Sequence, residues 1–202
     1  MRPAVISVLD YGAGNLRSVA NTLDAIGAPY ELVRDAASLA RATKIVLPGV
    51  GHFGQMMRAL DQMDVRGVLL DRISAGVPFF GICLGMQALF TASDEAPEER
   101  GLGIFEGRVQ RFVGEVRIPH MGWNCLACRG SSRLLAPLNG VKPFVYFAHS
   151  YYAPVVAATS ATCDYTLPYT AVLEHQNIFG VQFHPEKSAA VGQSIVRAFV
   201  EM

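Results

Sequence analysis

Two rhythms alternate along the first half of the chain. Strand-length runs dominated by apolar residues occur at 4–9, 30–34, 44–47 and 77–82, and between them 15–26, 55–60 and 65–75 repeat their apolar positions at helical spacing. A further apolar-periodic stretch through Leu84, Ala88 and Leu89 reads as a helix directly after the last of these strands. Such alternation predicts a parallel sheet with both faces covered by helices. From residue 103 the pattern changes to short β-rich runs at 104–112, 144–148, 151–156, 170–174 and 180–183, and only 190–199 returns to helical spacing. An antiparallel extension of the sheet is the economical reading. The expected fold class is therefore α/β: a mostly parallel central sheet flanked by helices, with a C-terminal antiparallel β extension. Residues 94–100 are polar, contain Pro97 and suit a surface loop.

Length and charge narrow the classes of partner. A chain of 202 residues supports one sizeable core, so 1–202 is expected to form one domain. Its 17 basic and 17 acidic side chains balance without any like-charge block, which argues against nucleic acid or an anionic membrane as partner. The first apolar run is short and ends at Asp10, unlike a secretion signal or a membrane span, and a cytoplasmic location is expected. Four cysteines (83, 125, 128 and 163) in a chain with ample apolar residues are expected to stay reduced. Cys125 and Cys128 form a C-x-x-C without a second pair, so neither a metal site nor a cofactor is expected.

The candidate chemistry lies in two segments about a hundred residues apart, 80–87 and 182–187. Cys83 stands between Gly81 and Gly85 at a predicted strand-to-helix turn, where a helix N-terminus favours thiolate and small neighbours permit a tight elbow. The Leu84 amide then faces a developing oxyanion. In the second segment Pro185 holds His184 extended, which places His184 and Glu186 on one face, so that the carboxylate orients the imidazole. Cys83, His184 and Glu186 thus read as nucleophile, base and orienter. The Pro48–Gly49–Val50–Gly51 loop follows another strand, and in an open α/β sheet sites gather at such carboxyl ends; Val50 or Gly51 is the expected second oxyanion donor.

Both segments match the pattern of the class I (triad) glutamine amidotransferases, G-x-C-x-G-x-Q followed by F-H-P-E, and the chain resembles that family from end to end. The stretches 10–18, 47–51, 119–124, 149–152 and 186–188 look like those of the glutaminase subunits of imidazole glycerol phosphate synthase, an enzyme of histidine biosynthesis. The resemblance implies a flavodoxin-like form of the α/β fold and hydrolysis of L-glutamine through a Cys83 thioester. It further implies a glutamine pocket lined by Gln87, His149, Ser150 and Tyr151, with Glu95 on the substrate's α-ammonium. It also implies a (β/α)8-barrel cyclase subunit as partner in a heterodimer, which receives ammonia across an interface that includes Asn15, Trp123, Tyr146 and Lys187. His52 and Cys125 depart from the usual family pattern.

Other functions predict different sequence features. Gly49-Val50-Gly51-His52-Phe53-Gly54 spells the dinucleotide fingerprint, yet the next strand ends at Cys83 instead of at an acidic residue. A pyridoxal phosphate synthase glutaminase would share the triad but is disfavoured by the segment 119–124. A scaffold that binds a cyclase without catalysis has no chemical need for Cys83, His184 and Glu186 together.

Overall fold

The structure, a computed structural model, describes residues 4–13, 15–138 and 142–202. Its first half runs β1 (Ile6–Leu9), α1 (Leu16–Ala25), β2 (Tyr30–Val33), α2 (Ala36–Leu39), β3 (Ile45–Gly49), α3 (Phe53–Gln62), α4 (Arg66–Ser74), β4 (Phe79–Cys83) and α5 (Leu84–Gln87). The second half runs β5 (Phe90–Ser93), β6 (Phe105–Arg111), β7 (His120–Cys125), β8 (Ala127–Cys128), β9 (Phe144–His149), β10 (Tyr151–Tyr152), β11 (Thr159–Asp164), β12 (Pro168–His175), β13 (Ile178–Val181) and α6 (Ala189–Glu201).

Eight strands form the main sheet in the order β2-β1-β3-β4-β13-β12-β11-β8. The first five are mutually parallel, and β12, β11 and β8 extend them antiparallel, as the change of rhythm predicts. Because side chains alternate along a strand, β4 sends Phe80 and Ile82 to one face, where Val19, Leu23, Val196 and Phe199 of α1 and α6 cover them. Phe79 joins the opposite core with Met56, Leu60, Leu69 and Ile73 of α3 and α4. Each fully buried side chain of this kind contributes ~1.5–3 kcal/mol, so β4 is anchored from both faces.

The structure departs from the expected elements at several places. The helix expected through Leu84, Ala88 and Leu89 is a single turn, because the chain enters β5 at once. The Ala88 and Leu89 carbonyls accept from the amides of Leu102, Ile104 and Phe105, which draws the backbone away from helical pairing. The run expected at 151–156 pairs only over Tyr151 and Tyr152, against β6. Strands β5, β7 and β11 are not foreseen by the apolar pattern. In β7 that pattern is inverted: Met121 and Trp123 are exposed while His120 is buried. Residues 94–99 form turns and bends, as expected for a loop, and Arg100 closes it in an antiparallel bridge to Ala92.

Candidate active site

Sheet order alone brings the two motif segments together. β4 lies between β3 and β13, with Gly49 opposite Cys83 on one side and Val181 opposite Ile82 on the other. The residues that continue from β13, Gln182 to His184, therefore run beside Cys83, and the loop that continues from β3, Val50 and Gly51, faces it across the same sheet end. Both meet at the carboxyl edge of the sheet.

The backbone at Cys83 is left-handed, with φ 53° and ψ −107°. A side-chain-bearing residue held there stores ~1–3 kcal/mol of strain, and the surroundings must enforce it. Close backbone packing does so. A Cβ at Gly81 would lie 2.6 Å from the Gly85 carbonyl oxygen, and one at Gly49 would lie 2.6 Å from the Gly85 nitrogen. A Cβ at Gly85 would collide with the Leu47 carbonyl. Three glycines thus let β3, the elbow and α5 approach closely enough to pin the thiol.

His184 is extended, but Pro185–Lys187 closes into a 3-10 turn instead of continuing straight. That turn brings the Glu186 Oε1 to 2.8 Å from His184 Nδ1, and both side chains are almost fully buried. With Nδ1 carrying its proton toward the carboxylate, Nε2 is the nitrogen left for the thiol. His184 is pushed up to about 10: burial opposes the charged ring, but the Cys83 charge, a hydrogen bond to Cys83, and the Glu186 hydrogen bond and charge outweigh it. The charged ring is thus favoured beside the Cys83 sulfur. The Ser188 hydroxyl donates to the His184 carbonyl at 2.7 Å and fixes the turn.

A cleft of about 190 Å³ opens over the thiol, lined by Val50, Gly51, Cys83, Leu84, Gln87, Glu95, His149, Ser150, Tyr151 and His184, with Pro119 and Ala148 completing the wall. Every residue expected to act as nucleophile, base, oxyanion donor or glutamine contact, apart from the orienting Glu186 behind His184, lines this one cleft. Its volume suits a small metabolite. Glu95 is half-buried there, and its Oε2 accepts from the Phe53 amide at 2.7 Å.

His52 plays a structural part, since its Nδ1 accepts from the Gly54 amide at 3.1 Å and caps α3. With Glu95 and His52 on the first amides of α3, the position where the dinucleotide fingerprint would hold a pyrophosphate is already filled by the protein's own acceptors.

The residues expected at an interface separate into two groups. Trp123 is 53% exposed and edge-on to Tyr146 at 6.2 Å, and the Lys187 ammonium lies 5.7 Å over the Tyr146 ring. Asn15 instead turns inward, and its Nδ2 donates to Glu186 Oε1 at 3.4 Å. The motifs gave no sign of this contact with the orienting carboxylate, nor of Gln182, whose Nε2 lies 3.6 Å from the Cys83 sulfur. Cys125 and Cys128 are free thiols, and among the described residues no cluster of His, Cys, Asp or Glu is grouped to hold a metal ion. Nor is any described helix long and apolar enough to cross a membrane.

The model of the family "Glutamine amidotransferase class-I" matches residues 7–202, and the chain belongs to that family of enzymes. A solved structure described as a glutamine amidotransferase has the same fold, with a TM-score of 0.76 at 20% identity over 98% of this chain and 97% of that one. Within the family the chain is similar to imidazole glycerol phosphate synthase subunit HisH. It is 46% identical to that subunit of Deinococcus radiodurans over 96% of this chain and 92% of the relative. To the subunit of Methanothermobacter thermautotrophicus it is 44% identical, over 98% of each chain.

Proposed function

We propose that this glutamine amidotransferase is the glutaminase subunit of an imidazole glycerol phosphate synthase in histidine biosynthesis. The observation that carries the reading is the buried constellation of Cys83 and His184 at the cleft with Glu186 behind the imidazole, in a chain similar over nearly its whole length to HisH subunits. The Cys83 thiolate adds to the side-chain amide carbon of L-glutamine, and the tetrahedral oxyanion is met by the Leu84 amide and by Val50 or Gly51. His184 gives its proton to the leaving nitrogen, ammonia departs, and a γ-glutamyl thioester remains. His184, now neutral, takes a proton from water as it attacks the thioester, and glutamate and the free thiolate are regenerated. Glu186 holds the ring and offsets its charge in both halves. Gln87, His149, Ser150 and Tyr151 shape the glutamine pocket, and Glu95 pairs with the α-ammonium.

Ammonia set free into neutral water is protonated and loses its nucleophilicity, so the reaction calls for a partner sealed over the cleft. The exposed Trp123 and Met121, with Tyr146 and Lys187, offer such a partner an apolar and cationic surface. The partner proposed is a (β/α)8-barrel cyclase that uses the ammonia to form imidazole glycerol phosphate and aminoimidazole carboxamide ribotide. A cytoplasmic location goes with this pathway.

The test uses Cys83→Ala and wild type, each combined with the cyclase subunit and its ribonucleotide substrate. The variant is expected to lose glutamine-dependent synthesis and to retain synthesis from added ammonium salts. Equal loss of both activities would contradict the assignment of Cys83.

A further inference from the structure

A continuous hydrogen-bond chain leads from strand β7 to the nucleophilic sulfur, and one backbone oxygen sets the direction of all its links. The Tyr151 carbonyl, at the cleft, can only accept. It lies 2.8 Å from Gln87 Nε2 and 2.8 Å from His149 Nδ1, so each of those nitrogens must present hydrogen to it. The same Gln87 NH2 group reaches Gln182 Oε1 at 3.0 Å, which forces the Gln182 amide to turn its own NH2 outward. That NH2 meets the Cys83 sulfur at 3.6 Å. On the other branch, with hydrogen on Nδ1, neutral His149 has a lone pair on Nε2. The Tyr169 hydroxyl, 3.3 Å away, donates into it, and the Tyr169 oxygen in turn accepts from His120 Nδ1 at 3.2 Å.

Burial makes this polarity hard to reverse. Gln182 and Tyr169 are fully buried, and Gln87, His149 and His120 are 4%, 6% and 4% exposed. A flipped amide or a changed tautomer anywhere in the chain would leave two donors or two acceptors face to face without water to separate them. Burial also holds His149 down to about 3 and His120 down to about 4, so both rings are neutral at working pH, as the links require.

We propose that Gln182 is a further catalytic residue, the side-chain donor that holds the Cys83 thiolate, with Gln87, His149, Tyr169 and His120 as the positioning residues that keep its amide facing the sulfur. The assignment rests on Cys83 being the nucleophile. His184 does not serve the sulfur alone, since its proton is shared in turn with the departing ammonia and the attacking water. Gln182 has no proton to transfer and remains a donor at every stage, including the moment when the thioester breaks and thiolate reappears.

The test is the rate at which iodoacetamide alkylates Cys83, which reads the sulfur's reactivity directly and does not depend on which reaction employs it. Gln182→Met keeps the bulk and removes the donor. It is expected to slow alkylation about tenfold at neutral pH, and to lower kcat for glutamine by a similar factor with KM changed less than about twofold. A purely structural role would instead lower the melting temperature and leave alkylation of the folded protein at the wild-type rate, and that result would overturn the proposal. If the variant does not fold, the wild-type protein decides. The assigned 15N–1H signals of the Gln182 side-chain amide are expected to move when Cys83 is alkylated, and signals that stay in place would contradict the contact. Retention of glutamine turnover by Cys83→Ala is a separate outcome, which removes the nucleophile assignment itself.

Discussion

Cys83 gives up backbone comfort and exposure for reactivity: it is left-handed, buried and faces His184 and Gln182 at once. His184 depends on it in return. Cys83→Ala removes the largest contribution favouring the charged ring while burial remains, so the value of about 10 is expected to fall. A histidine NMR titration of the variant measures this, and an unchanged midpoint would contradict the thiolate–imidazolium pair. Glu186→Gln offers Nδ1 an amide in place of a carboxylate, and kcat for glutamine is expected to drop about 100-fold or more, measured as glutamate release. The proposed triad is legible in the sequence because a cysteine between glycines and a His-x-Glu are local patterns. Gln182 stands only two residues before His184, yet its role depends on a carbonyl at Tyr151 and on Gln87, which only the fold brings near.

Among the elements, close packing of β3 on the elbow is an exacting requirement. Gly85→Ala places a methyl group against the Leu47 carbonyl and should cost ~1–3 kcal/mol of overpacking, a loss of roughly 2–10 °C in melting temperature for a chain of this size. Gly67→Ala is the control. Its Cβ would meet nothing within 4 Å on the exposed side of α4, and the change is expected to be neutral or stabilising by up to ~1 kcal/mol. Differential scanning calorimetry compares the two. Most of the parallel half of the sheet is legible because β1, β3, β4 and β13 are largely apolar and buried on both faces. β7 is not, since it keeps Met121 and Trp123 outside and His120 inside, which reverses the pattern on which strand recognition depends. α5 is misread as a longer helix because Ala88 and Leu89 are buried on all sides, and apolar spacing cannot tell a buried turn from a helix.

For the molecule as a whole, buried histidines set how stability depends on pH. His149 and His120 titrate near 3 and 4 when folded and near the ordinary 6.5 when unfolded, so below 6.5 the unfolded chain binds more protons. Their contribution is complete above 6.5 and is lost as pH falls toward 3. His184 acts in the opposite sense: its contribution is complete below 6.5 and is lost as pH rises toward 10. The melting temperature is therefore expected to pass through a maximum near pH 6.5. His120→Phe, which preserves the stack on Phe147 at 4.9 Å, should flatten the acid limb, and a limb as steep as that of wild type would count against this account.

Attack of Cys83 on the side-chain amide of glutamine leaves a covalent intermediate, so trapping is the decisive measurement. The protein is incubated with a glutamine-like electrophile, a diazoketone that carries the same α-amino acid end, together with the cyclase partner, and is then digested and analysed by mass spectrometry. One adduct per chain on the peptide that contains Cys83, suppressed by excess L-glutamine, is the predicted result. An adduct on another residue, or one on Cys83 that glutamine fails to suppress, would contradict it.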